Sequence, residues 1–149
     1  MTLHFEMLQS TDDKWLEMAD KIAQVSWRAG QSLADKMRSN HFSDWEVVMV
    51  GLAETEEIAC FCTISKEDGL LDSTLTPFIG YVFVSENCRG QRVSEKLLTQ
   101  AESYLKEIGF GEVHVVSGEI GLYEKYGYRA LTQSETVHGA IETIFVKEL

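Results

Sequence analysis

One stretch of this 149-residue chain combines residue types and spacing that can do chemistry. Phe78 to Val84 (FIGYVFV) reads as a strand, Ser85-Glu86-Asn87-Cys88 as a short loop, and Arg89-Gly90-Gln91-Arg92-Val93-Ser94 as the opening of a long helix. A helix start presents backbone N–H groups that lack intrahelical partners, together with the positive end of the helix dipole. Glycine lets such a loop bring its backbone close to a ligand. Arg89 and Arg92 add positive charge to a chain that is otherwise acidic. The chemistry this suits is the holding of a phosphate. The other reading is a plain surface turn with two solvated arginines, for the spacing is neither a Walker loop nor a dinucleotide fingerprint.

The elements that must position this join follow from apolar periodicity. Residues 3–8 read as a first strand. After the helix-start cluster Ser10-Thr11-Asp12-Asp13, a helical stretch carries Trp15, Leu16, Met18, Ala19, Ile22, Ala23 and Val25, and Gly30 interrupts it. A second short helix sets Leu33, Ala34 and Met37 on one face. The runs 45–52 and 58–64, separated by Glu54-Thr55-Glu56-Glu57, read as a hairpin. Phe78 to Val84 is apolar on both alternating faces, as expected of a strand covered by helices on each side. From Val93 the stripe Val93, Leu97, Leu98, Ala101, Tyr104, Leu105 and Ile108 predicts a long helix that stops at Gly109. Residues 112–116 form a fifth strand, 120–126 a short helix, and 128–135 and 140–146 two last strands. The order is β-α-α-β-β-β-α-β-α-β-β, a mixed central sheet flanked by helices on both faces.

Length and composition fit one domain over residues 1–149. An apolar fraction of 44% with 25% charged residues argues against disorder. Thirteen basic against 24 acidic residues give a net charge of −11, which argues against nucleic-acid backbone binding and is compatible with a cationic small substrate. No apolar run approaches the roughly 20 residues of a membrane helix. The opening MTLHFEMLQSTDD lacks the basic start and apolar stretch of a secretory signal, so the chain reads as cytoplasmic. Cys60 and Cys62 alternate in an apolar strand and read as small buried hydrophobes. With Cys88 they form no metal-type cluster.

YVFVSENCRGQRVSEKLL resembles motif A of the GNAT superfamily of acyl-CoA N-acyltransferases, where a strand leads through a short loop to Arg/Gln-x-x-Gly-x-Gly/Ala at a helix start. Downstream, IGLYEKYGYRAL is similar to that family's motif B. The sharpest part runs from about Pro77 to Leu131, and the element order is also that of the GNAT fold. The resemblance implies acetyl-CoA as co-substrate, no metal, and transfer of an acetyl group to a primary amine of a small molecule by direct attack in a ternary complex. The acidic Glu67, Asp68 and Asp72 beside the expected mouth favour a cationic one. Val82, Phe83 and Val84 would offer backbone groups to the pantetheine arm. Arg89, Gly90, Gln91, Arg92, Val93 and Ser94 would wrap the pyrophosphate, and Tyr123 would protonate the departing thiolate. Relatives are often dimers, so a homodimer is one assembly the resemblance allows. The chain departs from the pattern at Arg92 and Ser94, which occupy the family's two small positions.

The resemblance leaves the general base open. Glu119, just before the short helix, and Asp68 in the polar 66–76 loop are the candidates, either directly or through water. His114 alternates with apolar neighbours and reads as a packed core residue. Cys88 lacks a visible His partner for a nucleophilic role. The acceptor pocket is expected from the N-terminal helices, the 66–76 loop and the turn before the last strand, with Trp15, Trp27, Phe42 and Trp45 as possible lining. Two rivals stand beside the small-molecule enzyme: a catalytically idle acyl-CoA-binding sensor, and an enzyme that acetylates proteins or peptides.

Overall fold

The apolar runs alternate strictly enough to give both faces of one sheet their own core. In the computed structural model, which describes residues 2–149, seven strands line up in the order β1-β2-β3-β4-β5-β7-β6. They are β1 (His4–Leu8), β2 (Val47–Leu52), β3 (Ile58–Ser65), β4 (Phe78–Val84), β5 (Glu112–Ser117), β6 (Arg129–Glu135) and β7 (Ile141–Glu148). Helices α1 (Trp15–Ala23) and α2 (Ala29–Arg38) cover one face, where Met18, Ile22, Leu33 and Met37 bury Val48, Val50, Phe61 and Phe83. Helix α3 (Val93–Glu107) covers the other, packing Leu97, Leu98, Ala101 and Leu105 on Met49, Cys60, Cys62, Ile64 and Ile79. Residues two apart on β2 and β3 therefore share a face, as the pleat requires. Cys60 and Cys62 both point to the α3 side, and burial pushes the Cys60 thiol up to about 12.

Two elements differ from the sequence expectation. Gly30 does not interrupt a helix: it is the second residue of α2, and a Cβ there would lie 2.7 Å from the Ile22 carbonyl oxygen and 2.8 Å from a Val25 methyl. Its smallness lets α1 and α2 approach closely. The stretch 120–126 is not an α-helix either. Gly121 and Gly127 take φ of 87° and 91°, and the backbone between them has room only for the 3₁₀ turn Tyr123–Tyr126.

The feature that opens the sheet is in β4. Ile79 packs on the α3 side and Tyr81 on the α1/α2 side, but Val82 already returns to the α3 side and Phe83 to the other. One residue has been inserted against β3, where Phe61 pairs with Phe83 and Thr63 with Gly80. Tyr81 takes φ of 49°, and this bulge turns β4 away. Its pairing with the parallel neighbour β5 is confined to Phe78 opposite His114. Beyond that pair the two strands diverge into a wedge, and the backbone of β4 from Gly80 onward faces it.

Candidate active site

The wedge separates two concavities. On the first side β4 runs into the 3₁₀ turn Glu86–Cys88 and then into α3. The first bond of α3 runs from the Lys96 N–H to the Arg92 carbonyl, so the N–H groups of Val93, Ser94 and Glu95 have no helical acceptor. Gly90 takes φ of 79°, and a Cβ built there would meet nothing within 4 Å. Arg92 takes the left-handed φ of 58° that the smallest residue adopts most readily, so the loop keeps its shape despite the larger side chain. Val84, Cys88, Arg89, Gly90, Arg92, Val93, Ser94 and Tyr126 line a hollow of about 300 Å³ here. Gln91 lies beside it, its side-chain amide donating to the Asn87 carbonyl at 3.4 Å. Unpaired N–H groups, a helix N-terminus and two guanidinium groups make a cradle that fits a diphosphate.

The structure also places the strand residues expected to serve through their backbone. Val82 and Val84 are partly buried against the α3 core, and the Arg89 Nε–H donates to the Val84 carbonyl at 3.3 Å. Phe83 is buried on the opposite face, stacked on Trp27 with ring centroids 5.8 Å apart. Only the main chain of Phe83 is free to act in the wedge.

On the second side lies a larger cavity of about 1000 Å³, bounded by α2, the 66–76 loop, β4, β5 and the β6–β7 turn. The elements expected to form a pocket do meet here. Trp27 lines it, whereas Trp15 and Phe42 are core residues and Trp45 packs edge-on against Phe110 on the far face. An isolated bridge between Leu70 and Thr136 ties the 66–76 loop to the β6–β7 turn and closes one side.

Several residues of this cavity carry no sequence signal of their own. Lys36 extends from α2 so that its ammonium lies 5.0 Å above the Tyr81 ring, and the Tyr81 hydroxyl is hydrogen-bonded to Ser32 at 2.8 Å. Glu142 enters from β7. Asp68 rests against Gly80, its carboxyl pushed up to about 6 by burial, with Lys36 pulling it down and Glu142 raising it. Helical spacing marks Lys36 only as a solvated face residue. Its role depends on which side of α2 meets the bulge.

Tyr123 opens the 3₁₀ turn whose last residue, Tyr126, lines the cradle. The Tyr123 ring is buried, edge-on to Tyr128 and tilted against Phe145, each at 5.8 Å. Its hydroxyl makes no hydrogen bond among the described residues. Burial raises it above the ordinary phenol range, and the nearby charges of Glu119 and Asp68 raise it further. The charges of both carboxylates picked out in the sequence thus reach Tyr123. Glu119 is exposed, with its N–H donating to the Ser117 hydroxyl at 3.0 Å. The turn behind Tyr123 is fixed by a partly buried network. Lys147 donates to the Tyr126 carbonyl at 2.8 Å and to Glu102 at 2.9 Å, and the Tyr128 hydroxyl also donates to Glu102.

His114 is a core residue, as its alternation suggests. It is buried against Phe78, and its Nδ1–H donates to the Pro77 carbonyl at 2.9 Å. Among the described residues no group of three or more His, Cys, Asp or Glu side chains is placed to hold a metal ion. No helix among them is long and apolar enough to cross a membrane.

Comparison with known proteins agrees with this fold. Residues 13–128 match the Acetyltransferase (GNAT) family. Among solved structures, a protein from Exiguobacterium sp. 255-15 described as an acetyltransferase superposes with a TM-score of 0.69 at 19% identity, over 97% of this chain and 93% of that one. An aminoglycoside 6'-N-acetyltransferase complexed with coenzyme A gives 0.70 at 11% identity, over 97% and 96%. A spermidine/spermine N-acetyltransferase from Vibrio cholerae gives 0.65 at 8% identity, over 99% and 95%. At these identities the likeness concerns the fold. No curated protein matches the sequence significantly.

Proposed function

The chain belongs to the GNAT acetyltransferase family, and on that premise we propose that it transfers the acetyl group of acetyl-CoA to a primary amine of a small, cationic molecule by direct attack in a ternary complex. The observation that carries this reading is a diphosphate-type cradle at the start of α3, reached along the edge of β4 where it parts from β5, together with a separate cavity that holds Asp68 and Glu142.

Residues 89–94 would hold the diphosphate of acetyl-CoA, chiefly through main-chain N–H groups, with Arg89 and Arg92 adding charge. Val82, Phe83 and Val84 would bond the pantetheine arm along the diverging edge of β4. Acetyl-CoA supplies an activated thioester at the wedge. Backbone donors there stabilise the developing oxyanion, a contribution of about 2.7–4 kcal/mol per donor in comparable sites. Holding amine and thioester together removes the cost of a bimolecular encounter. Tyr123 then protonates the departing sulfur. Glu119, exposed just before the turn that carries Tyr123, and Asp68 are the two candidates to receive the proton released from the acceptor.

The cavity's carboxylates Asp35, Asp68 and Glu142 outnumber its fixed cations Arg28 and Lys36, a balance that favours a cationic amine over an anionic acceptor. An idle sensor would need the cradle but no Tyr123 chemistry, and a peptide acceptor would need a cleft open along its length. Isothermal titration with coenzyme A, followed by a screen of polyamines, aminoglycosides, amino acids and peptides for thiol release, tests the proposal. Micromolar binding with turnover of a small amine supports it. Absence of any affinity for coenzyme A overturns it.

A further inference from the structure

The residue that takes the proton from the acceptor can be read from a gap in β4. Gly80 precedes the bulge at Tyr81, and an ideal Cβ there would lie 2.8 Å from both carboxylate oxygens of Asp68. Asp68 therefore occupies the space that any other residue at position 80 would fill. Neither oxygen accepts a hydrogen bond among the described residues, and Asp68 is only partly buried, so its oxygens stay open to the cavity. No ion pair ties the carboxylate down either. Lys36, the cation that acts on its titration, is drawn over the Tyr81 ring.

The carboxylate faces the large cavity at the point where β4 parts from β5, and its charge reaches Tyr123. A partly buried anion without a donor, at the mouth of the wedge, is a seat for an ammonium group.

We propose that Asp68 is the catalytic residue that receives the acceptor's ammonium and removes its proton. This rests on the acetyltransferase reading above and names the base within it. Asp68 takes one proton from R–NH₃⁺, leaving a neutral amine whose lone pair forms the C–N bond at the thioester carbonyl. As the C–S bond breaks, the electron pair leaves with sulfur, and the Tyr123 hydroxyl protonates the thiolate. The proton still in excess on nitrogen returns to the Tyr123 oxygen, leaving one amide N–H. The proton held by Asp68 passes to cavity water, so one proton is released per turnover. Neutralising Asp68 also withdraws one of the charges that hold the Tyr123 proton, so the acid strengthens when it is needed. Burial, which raises the Asp68 carboxyl to about 6, matches a base that works near neutral pH.

The test uses the full-length protein with acetyl-CoA and methylamine, putrescine, spermidine and hydroxylamine, read by thiol release. For amines that are protonated at neutral pH, Asp68→Asn is expected to lower kcat by roughly 100-fold or more and to abolish the acid limb near pH 6 of the kcat/KM profile. Hydroxylamine, largely unprotonated at neutral pH, should lose much less. Gly80→Ala, which displaces the carboxylate without removing it, should lower kcat in the same direction. Asp72→Asn, an exposed carboxylate in the same loop, should leave the limb in place. Calorimetric affinity for acetyl-CoA should be unchanged in each variant, which separates loss of the base from loss of the fold. An Asp68→Asn enzyme that keeps its acid limb, or loses hydroxylamine turnover equally, overturns the assignment while leaving the acetyltransferase reading intact. A wild-type protein that binds acetyl-CoA but acetylates none of the amines overturns both.

Discussion

The hydroxyls of Ser94 and Tyr126 meet at 2.7 Å and join the first turn of α3 to the turn that carries Tyr123. In a 3₁₀ turn residues three apart eclipse, so a bond at Tyr126 fixes the direction of Tyr123. One side of this bond belongs to the proposed diphosphate cradle and the other to the turn of the proposed acid. Tyr126→Phe should cost about 0.5–1.5 kcal/mol of stability, the usual worth of a hydrogen bond. It should also lower kcat several-fold while changing the affinity for acetyl-CoA little. Chemical denaturation and steady-state kinetics on the same preparation check both.

Tyr123 itself should separate chemistry from stability. Because its hydroxyl bonds to none of the described residues, Tyr123→Phe should leave the melting temperature unchanged or slightly higher. Loss of a positioned proton donor should lower kcat by roughly 10²–10⁴-fold. Affinity for acetyl-CoA should stay within a factor of two. A variant that transfers acetyl groups at the wild-type rate, with the acyl-transfer step limiting, would refute the acid role.

The layered fold was legible because burial imposes a period on the sequence. The stripe from Val93 to Ile108 could only be a helix with one buried face, and FIGYVFV only a strand covered on both sides. The cradle was legible for a related reason: its backbone geometry needs a Gly near a helix start, and Gly90 is there. The bulge was not. Tyr81 is an aromatic residue in an apolar run, and nothing in its type announces a φ of 49°. Asp68 was visible as an acid in a polar loop, but its seat depends on Gly80, twelve positions away along the chain. The short helix expected over 120–126 is a single 3₁₀ turn at Tyr123–Tyr126, since the apolar spacing gives no weight to the two glycines that bracket it. Sites built across a sheet depend on register, which local periodicity does not encode.

Arg92 invites a substitution with opposed effects. A non-glycine residue in the left-handed region costs about 1–2 kcal/mol, and glycine returns part of that gain as unfolded-state entropy. Arg92→Gly should therefore raise stability by up to about 1 kcal/mol. It removes a guanidinium from the cradle, so affinity for coenzyme A should fall several-fold at low ionic strength. That difference should shrink as salt rises, because exposed charges are screened. Calorimetry at two salt concentrations distinguishes this from a loop that has lost its shape, for which the deficit would not depend on salt.

Asp68 should also leave a signature in the pH dependence of folding. Its carboxyl is raised from 3.8 to about 6, so the folded chain holds this proton more tightly than the unfolded chain. By linkage, the group favours folding most below about pH 4 and opposes it increasingly as pH climbs through 6. Asp68→Asn should thus be more stable than wild type at alkaline pH and gain nothing at about pH 4. A rise of that size sets a ceiling of about 3 kcal/mol, and contact with cavity water reduces the expected gain to about 1–2 kcal/mol. Glu142 raises Asp68 from β7, so Glu142→Gln should move the acid limb of activity to lower pH and recover part of the same stability. Lys36 acts in the other direction, and Lys36→Met should move the limb upward. Denaturant titrations across this range check the stability, and pH–rate profiles check the limb. If Asp68→Asn instead destabilised the protein at alkaline pH, the carboxylate would be a structural partner and not a group held ready for the acceptor.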